Sequence, residues 1–461
     1  MRTRVESMKP TIALVTLSDH AFIPSFAPYN EGAKATRDKY IAAVRRDAAD
    51  FFSTCGTEVV FNEWVNGIES ARTIGARLRQ VAVDLLAVTV PIWPGGDLVL
   101  ELAKSIVGLP TVIWTPVSGN TNTLCGFYET TSDLKSVGVN FEPVFGRTSE
   151  AKSRIRSFAR AAMVVRNLRT SRVAQIGYAP QAFVDVTGSE LDLRARFGLE
   201  VPHLDVSEVY SKTSNATHEE AQQVSSEFKQ KAGKMSVNEK DMMLAAKVCV
   251  ALDRIVEKYK LNGYALSCAP MCYELAHPCL ALSKSTEGGV VGSCEGDLPS
   301  AIMLLIMREI TEKPPAVFDI DSGDIERNVL NLWHCGHLAP SLAESPSNIS
   351  ITPPLFGKDV MGPGAVLFFA LKPGKVTLAT LSGKADRMFF TSGEALRVDG
   401  EKGFGAYSEV KLDCNLIDVL QTLARNGSGH HLCVVHDDIR HELKDFCKIL
   451  GISAVTPDVK P

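Results

Sequence analysis

The chain is expected to fold as an α/β protein: two α/β domains with parallel sheets, then a β-rich, barrel-like C-terminal domain. Three observations carry that expectation. Short apolar runs alternate with amphipathic helical stretches from "PTIALVTL" at 10–17 to "AVFDID" at 316–321. That is the pattern of βαβ units, a Rossmann-like alternation. After "ESPSN" near 345, short runs are broken by Pro-Gly, Ser-Gly and Gly-Lys turns, as in antiparallel sheets. Finally, 461 residues are too many for one hydrophobic core.

Taken in order, "PTIALVTL" reads as a strand and "EGAKATRDKYIAAVRRDAADFF" as a helix. "TEVVF", the helix "IESARTIGARLRQVAV", the strand "DLLAVTV", a helix at 97–106 and "PTVIWTPV" complete a first domain at 1–168. "SRVAQIGYAP" opens a second domain, 169–345. There "SELDLRARFG" reads as a helix, "PHLDVSEVY" as extended, 212–235 as one surface helix and 237–260 as a long amphipathic helix. "GYALSC" and "GGVVGSC" read as strands, 298–312 as a helix and "AVFDID" as the next strand. The third domain, 346–461, holds the turn-punctuated β segment, helices at 415–425 and 439–450, and strands "HHLCVVH" and "ISAV".

Composition narrows the function classes. The chain is 45% hydrophobic and 22% charged, as in ordinary globular proteins. Its net charge of −4, without a basic stripe, argues against nucleic acid as the main partner. No run approaches the roughly 18–20 apolar residues that span a bilayer, so no membrane partner is expected. The opening "MRTRVESMKP" has no apolar segment behind it, so no secretory leader is expected either. The 11 cysteines are scattered, often inside apolar runs such as "AAKVCVALDRI". They read as reduced, buried, neutral thiols in a cytoplasmic protein. The Cys268, Cys272, Cys279 spacing does not match a structural zinc site. No GxGxxG or P-loop supports nucleotide binding.

The chemistry concentrates elsewhere. In "GGVVGSCEGDLPSAIMLLIMREI" two acids sit between a strand and a helix. Asp297 has the position of a helix N-cap, with Pro299 in the first turn. Glu295 has no such role and lies at a strand's carboxyl end, where parallel α/β sheets bind ligands. One helix later "AVFDID" carries Asp319. If the two strands are parallel neighbours, about 4.8 Å apart, Glu295 and Asp319 converge. A divalent cation would then relieve their repulsion. Of 10 histidines, six follow residue 330, in "WHCGH" and "GSGHHLCVVHDDIRH". Carboxylates mixed with imidazoles suit Mn²⁺, Fe²⁺, Co²⁺ or Zn²⁺.

"CEGDLPSAIMLLIMREITEKP", "FDID", "LWHCG" and "GSGHHLCVVH" together resemble the L-fucose isomerase and L-arabinose isomerase superfamily. The similarity is best over 260–345 and 425–455. It implies a metal-dependent aldose–ketose isomerase, commonly using Mn²⁺. Carried over, Glu295 and Asp319 would be the carboxylate ligands and the proton-shuttle candidates, and His431 the imidazole ligand. His334 would bind metal or a substrate hydroxyl, with His430 beside it. Asp at 319, 24 residues after Glu295, resembles the fucose branch; the arabinose branch has Glu there. The family also implies a homo-oligomer, trimer or hexamer, and a small sugar as substrate. Two alternatives stay open: another metal-enediolate enzyme, an epimerase or lyase on a modified sugar, or a non-catalytic sugar-binding protein.

Overall fold

The computed structural model describes residues 9–18, 31–117, 123–354, 362–398 and 405–457. The chain divides into two compact units, Met1–Arg166 and Asn167–Pro461. In the first unit, β1 (Thr11–Leu17), β2 (Glu58–Val65), β3 (Leu85–Thr89), β4 (Thr111–Thr115) and β5 (Glu142–Phe145) form one parallel sheet in the order β2-β1-β3-β4-β5. Every residue of β3 and β4 is buried. Continuous apolar strands of this kind need cover on both faces, which helical crossovers provide.

The second unit begins with β6 (Val173–Ile176) and β7 (His203–Leu204), followed by β8 (Lys234–Met235), β9 (Gly263–Leu266) and β10 (Val291–Ser293). Four of these make a parallel sheet ordered β10-β9-β6-β7. "PHLDVSEVY" is extended only over β7, because Asp205 caps a helix, Val206–Ser214, by accepting from the Ser207 amide at 2.8 Å. The segment after it is likewise divided, by a capping box of Thr217 and Glu220 that starts the helix His218–Gln230.

The remaining strands are β11 (Ala316–Asp324), β12 (Val329–His334), β13 (Ser350–Thr352), β14 (Val366–Ala370), β15 (Gly374–Leu381), β16 (Arg387–Ala395), β17 (Ala406–Leu412), β18 (His431–Val435) and β19 (Ser453–Val455). They join β8 in a ten-stranded sheet. Within it, β16-β15-β18-β11-β12-β17 are antiparallel neighbours, and β17 pairs back onto β16. The sheet therefore closes into a six-stranded barrel, as the turn-rich C-terminal sequence predicts. Closure removes the exposed edges of those strands.

One expectation is corrected here. β11, the "AVFDID" strand, is not a parallel neighbour of β10; it lies in the barrel between β12 and β18. The barrel thus takes strands from both sides of residue 345. The intervening helix, Leu298–Thr311, explains the change. It is buried almost all round, and such a helix needs apolar cover on more than one side. It packs on β9 and β10 of the parallel sheet and on β15 and β18 of the barrel. A β11 that returned to the parallel sheet would leave one of those faces bare. No helix among the described residues is long and apolar enough to cross a membrane.

Candidate active site

The site forms where the turn after β10 meets the starts and ends of barrel strands. Cys294, Glu295 and Gly296 make that turn. Glu295 adopts φ +61° and Gly296 φ +68°, the left-handed region that a non-glycine residue enters at a cost of order 1–3 kcal/mol. The turn is held in place by two hydrogen bonds. The Gly296 amide donates to Leu266 O at 2.9 Å, and Gln175 Nε2 donates to Gly296 O at 3.1 Å. A Cβ on Gly296 would stand 2.8 Å from the backbone of Tyr178 and Ala179. Glu295 is therefore aimed by a turn that tolerates only glycine after it.

Asp319 and His431 meet by strand register. They are directly opposed in the antiparallel pair of β11 and β18, where facing Cβ atoms lie about 4.5–5.5 Å apart. His431 Nε2 stands 3.3 Å from Asp319 Oδ1 and 3.5 Å from Glu295 Oε2. Its Nδ1 donates to Asp297 Oδ2 at 2.7 Å. Asp297 does cap the helix, accepting from the Ser300 amide through Oδ1 at 2.8 Å, so its two oxygens serve two purposes. Burial disfavours the charged form of His431, but Asp297 and Asp319 outweigh it and raise the pKa to about 10. Glu295 shifts upward as well, mainly because it is buried.

His430, the residue before β18, is gripped by Asp185. Its Nδ1 is 2.7 Å from Asp185 Oδ2, and its backbone amide donates to the same oxygen at 3.1 Å. This leaves Nε2 3.4 Å from Glu295 Oε2 and 3.8 Å from Asp319 Oδ1. The contact with Glu295, then that with Asp185, hold its pKa above the usual value against the effect of burial.

His334 ends β12 and is fully buried. The Cys335 amide donates to its Nδ1 at 2.8 Å. A neutral imidazole that accepts at Nδ1 carries its proton at Nε2, so the free nitrogen is a donor. That suits a substrate oxygen better than a cation. His337 stands edge-to-face to His334, with ring centroids 4.2 Å apart, and burial lowers its pKa to about 4.

The donor set fits a divalent cation. Asp319, His430 and His431 each offer one ligand atom within 4.8 Å of the others, and Glu295 Oε2 lies 3.5 Å from His431 Nε2. Cis ligands of an octahedral ion with bonds of about 2.1 Å stand about 3 Å apart, and trans ligands about 4.2 Å. The 3.3 and 3.5 Å separations at His431 Nε2 are of that size. That nitrogen is buried without a hydrogen-bond partner. Asp297 accepts from Nδ1, the usual support of a metal-bound histidine, so a cation would replace only the proton that the raised pKa keeps on Nε2.

Of the five residues singled out by sequence, Glu295, Asp319 and His430 line one cavity, while His431 and His334 are buried close to Glu295. The cavity, of about 410 Å³, is lined by Phe183, Trp333, His430, Glu295 and Asp319 and by five cysteines. Sequence reasoning missed Asp185, a lone acid in the one-turn segment Val184–Val186, 245 residues from its partner. It also missed the second contact of Asp297, whereas the five cysteines of the wall, Cys268, Cys272, Cys279, Cys294 and Cys335, stand out in the sequence as close to the site residues. Cys272, Cys279 and Cys294 are raised as expected of buried thiols, Cys272 and Cys294 chiefly by contact with Cys268 and Cys279 by burial. Cys268 departs from the neutral expectation: contacts from the Cys272 and Cys294 thiols hold it well below the usual range.

No family model matches the chain. Curated proteins do. The chain is 25% identical over 413 residues to sulfoquinovose isomerases of Priestia aryabhattai and Priestia megaterium, covering 86% of this chain and 91% of each relative. It is 26% identical over 372 residues to the sulfoquinovose isomerase of Alkalicoccus urumqiensis, covering 77% of this chain and 82% of that protein.

Proposed function

We propose that this chain is a metal-dependent aldose–ketose isomerase of the L-fucose/L-arabinose isomerase type, acting on a small sugar. The observation that carries the reading is the meeting of Glu295, Asp319 and His431 from three separate segments around a buried, unpartnered Nε2. The relatives, named as isomerases of one sugar across most of their length, support the sugar-isomerase part. They also make sulfoquinovose a natural first substrate to try, beside L-fucose and L-arabinose.

In this reading Glu295, Asp319 and His431 hold one divalent cation, Mn²⁺ first among the candidates. Bound there, it would supply Lewis acidity to adjacent sugar oxygens O1 and O2. The remaining work falls to the chain. Interconverting aldose and ketose moves a proton between C1 and C2 through an enediolate, and a carboxylate is the fitting shuttle. Glu295 is the first candidate, because burial raises its proton affinity above that of an ordinary carboxylate. Asp319 is the second candidate. His430 Nε2, 3.4 Å from Glu295 Oε2, can take up or return that proton while Asp185 holds its ring. The His334 Nε2–H can donate to a sugar oxygen. Phe183, Trp333 and the thiols exclude water from the apolar side of the cavity. A cytoplasmic homo-oligomer, trimer or hexamer, belongs to the same reading.

The test is to strip the purified protein with a chelator, restore Mn²⁺, and follow ketose formation from a panel containing sulfoquinovose, L-fucose and L-arabinose. Proton NMR in D₂O should show exchange at C1 or C2 with the carbon count retained. No turnover on any aldose, with no Mn²⁺ bound, would overturn the reading.

A further inference from the structure

A second cavity of the Asn167–Pro461 unit takes no part in the isomerase reading. It encloses about 330 Å³, at the lower end of the range of small-molecule pockets. Lys234 of β8, Lys372 after β14 and Arg397 after β16 line it, with Glu344 the one carboxylate among the described residues. Three cations against one anion leave a local charge of +2, in a chain whose net charge is −4. Phe368 and Tyr407 add ring edges, with centroids 5.8 Å apart. We propose that this cavity binds a phosphate monoester of a ring-bearing metabolite, a nucleoside or a sugar, and that its occupant is felt at the Trp333 wall of the candidate active site.

The ligand class follows from charge and size. Lys372 Nζ donates to the Ser341 carbonyl at 2.9 Å, a neutral acceptor that leaves its charge uncancelled. Arg397 is paired with Glu344, but that pair faces solvent. Exposed pairs hold by about 1 kcal/mol or less, so Arg397 can be shared with an incoming anion. A monoester carries a charge of about −1.5 to −2 near pH 7, which matches the cavity. A bare phosphate would leave the ring edges and most of the volume unused; a sugar or base ring fills them. The walls are set before a ligand arrives. β14 pairs with β17 at Phe369–Ala406 and Ala370–Tyr407. Gly233 backs onto Ser347 so closely that a Cβ would stand 2.6 Å from the Ser347 carbonyl oxygen. Such preorganisation lowers the cost of binding.

Strand register joins this cavity to the first. Tyr407 of β17 is directly opposed to Trp333 of β12, Trp333 to Asp319 of β11, and Asp319 to His431 of β18. Opposed residues share one face of a sheet, with Cβ atoms about 4.5–5.5 Å apart. Tyr407 is a wall of the second cavity, and Trp333 and Asp319 are walls of the first. One cross-strand step therefore separates the cavities. Two strand spacings, about 10 Å, separate Tyr407 from Asp319. A ligand that moves Tyr407 meets Trp333 next, and by linkage whatever moves Trp333 changes the affinity for the ester. Calling the Trp333 cavity an active site rests on the isomerase reading; the binding and the link do not.

The test uses full-length protein stripped with a chelator. It is titrated calorimetrically with adenosine monophosphate, glucose 6-phosphate, adenosine, glucose and inorganic phosphate. At least one ester should bind, more tightly than inorganic phosphate and than its own dephosphorylated form. Binding of the nucleotide alone assigns a nucleoside source, of the sugar ester alone a sugar source, and of both the phosphate as the shared determinant. Lys372→Gln and, on another segment, Lys234→Gln should each weaken that ester about tenfold or more, the loss of one charge-assisted hydrogen bond. In protein labelled with 5-fluorotryptophan, the Trp333 signal is assigned by its loss in Trp333→Phe. The ester should shift that signal in fluorine NMR, and far less in Lys372→Gln at the same concentration. No ester binding, or inorganic phosphate bound as tightly as the esters, overturns the ligand class. Ester binding unchanged in both lysine variants overturns the site. A bound ester that leaves the Trp333 signal in place overturns the link. None of these readouts needs turnover or a cation, so a protein inactive on every aldose would count against the isomerase reading alone.

Discussion

Replacing Asp297 by Asn separates the two tasks of one side chain. In the native chain Oδ1 caps the helix Leu298–Thr311 and Oδ2 accepts from His431 Nδ1. Asparagine is as good an N-cap as aspartate, so the Ser300 amide keeps its acceptor. The other atom becomes an NH₂ donor facing a ring N–H. To relieve that clash His431 must move its proton to Nε2, the atom that faces Glu295 and Asp319. A protonated nitrogen cannot ligate. Loss of such supporting groups weakens metal affinity by about 10- to 100-fold, which is about 1.4–2.7 kcal/mol. The assay is Mn²⁺ titration by electron paramagnetic resonance, with helix content followed by circular dichroism. Asp297→Ala should show the same metal defect plus about 1 kcal/mol of lost stability, because it also removes the cap. An Asp297→Asn protein that binds Mn²⁺ as tightly as wild type would refute the reasoning.

Three further outcomes are expected. Gly296→Ala should destabilise by about 1–3 kcal/mol and lose most activity, since the new Cβ meets the backbone of Tyr178 in a turn already at φ +68°; denaturant titration and turnover together check it. Asp185→Asn should lower the His430 pKa, visible in histidine-edited NMR of the metal-free protein, because a carboxylate partner of that ring is lost. His337 should make the fold acid-sensitive. Its folded pKa is about 4 against an ordinary 6.5, so below pH 6.5 the unfolded chain takes up a proton that the native state refuses until about pH 4. The stability present above pH 6.5 is lost across that window at about 1.4 kcal/mol per pH unit, roughly 3 kcal/mol in all. His337→Phe should flatten that part of the pH profile in urea unfolding, and an unchanged slope counts against it.

Much of this architecture is legible in the residues. Apolar runs such as "DLLAVTV" and "PTVIWTPV" declare buried parallel strands, and β3 and β4 lie inside them. Asp297 before Leu298-Pro299 declares a helix start. The turn-rich stretch after 345 declares antiparallel strands. What local pattern does not carry is partner choice. "AVFDID" reads the same whether it joins a parallel sheet or a barrel, and the decision lies with the helix before it, which needs cover on more than one face. The closing contact of β16 with β17 is also tertiary. The same limit applies at the site. Glu295, Asp319, His334, His430 and His431 stand out by type and position, but the cross-strand register that opposes Asp319 to His431 has no local signature. Asp185 has even less, because a single acid in a short turn resembles any solvated one. Asp297 was legible as a cap, and that adequate local role concealed its contact with His431.

The central claim is that Glu295, Asp319 and His431 grip one cation. A crystal grown or soaked with Mn²⁺, with anomalous data collected at the manganese edge, addresses it directly. The expected result is a single strong peak about 2.1 Å from a Glu295 oxygen, an Asp319 oxygen and His431 Nε2, with Asp297 still accepting from Nδ1. A peak elsewhere, or a fully loaded protein with these three groups free of manganese, would contradict the account.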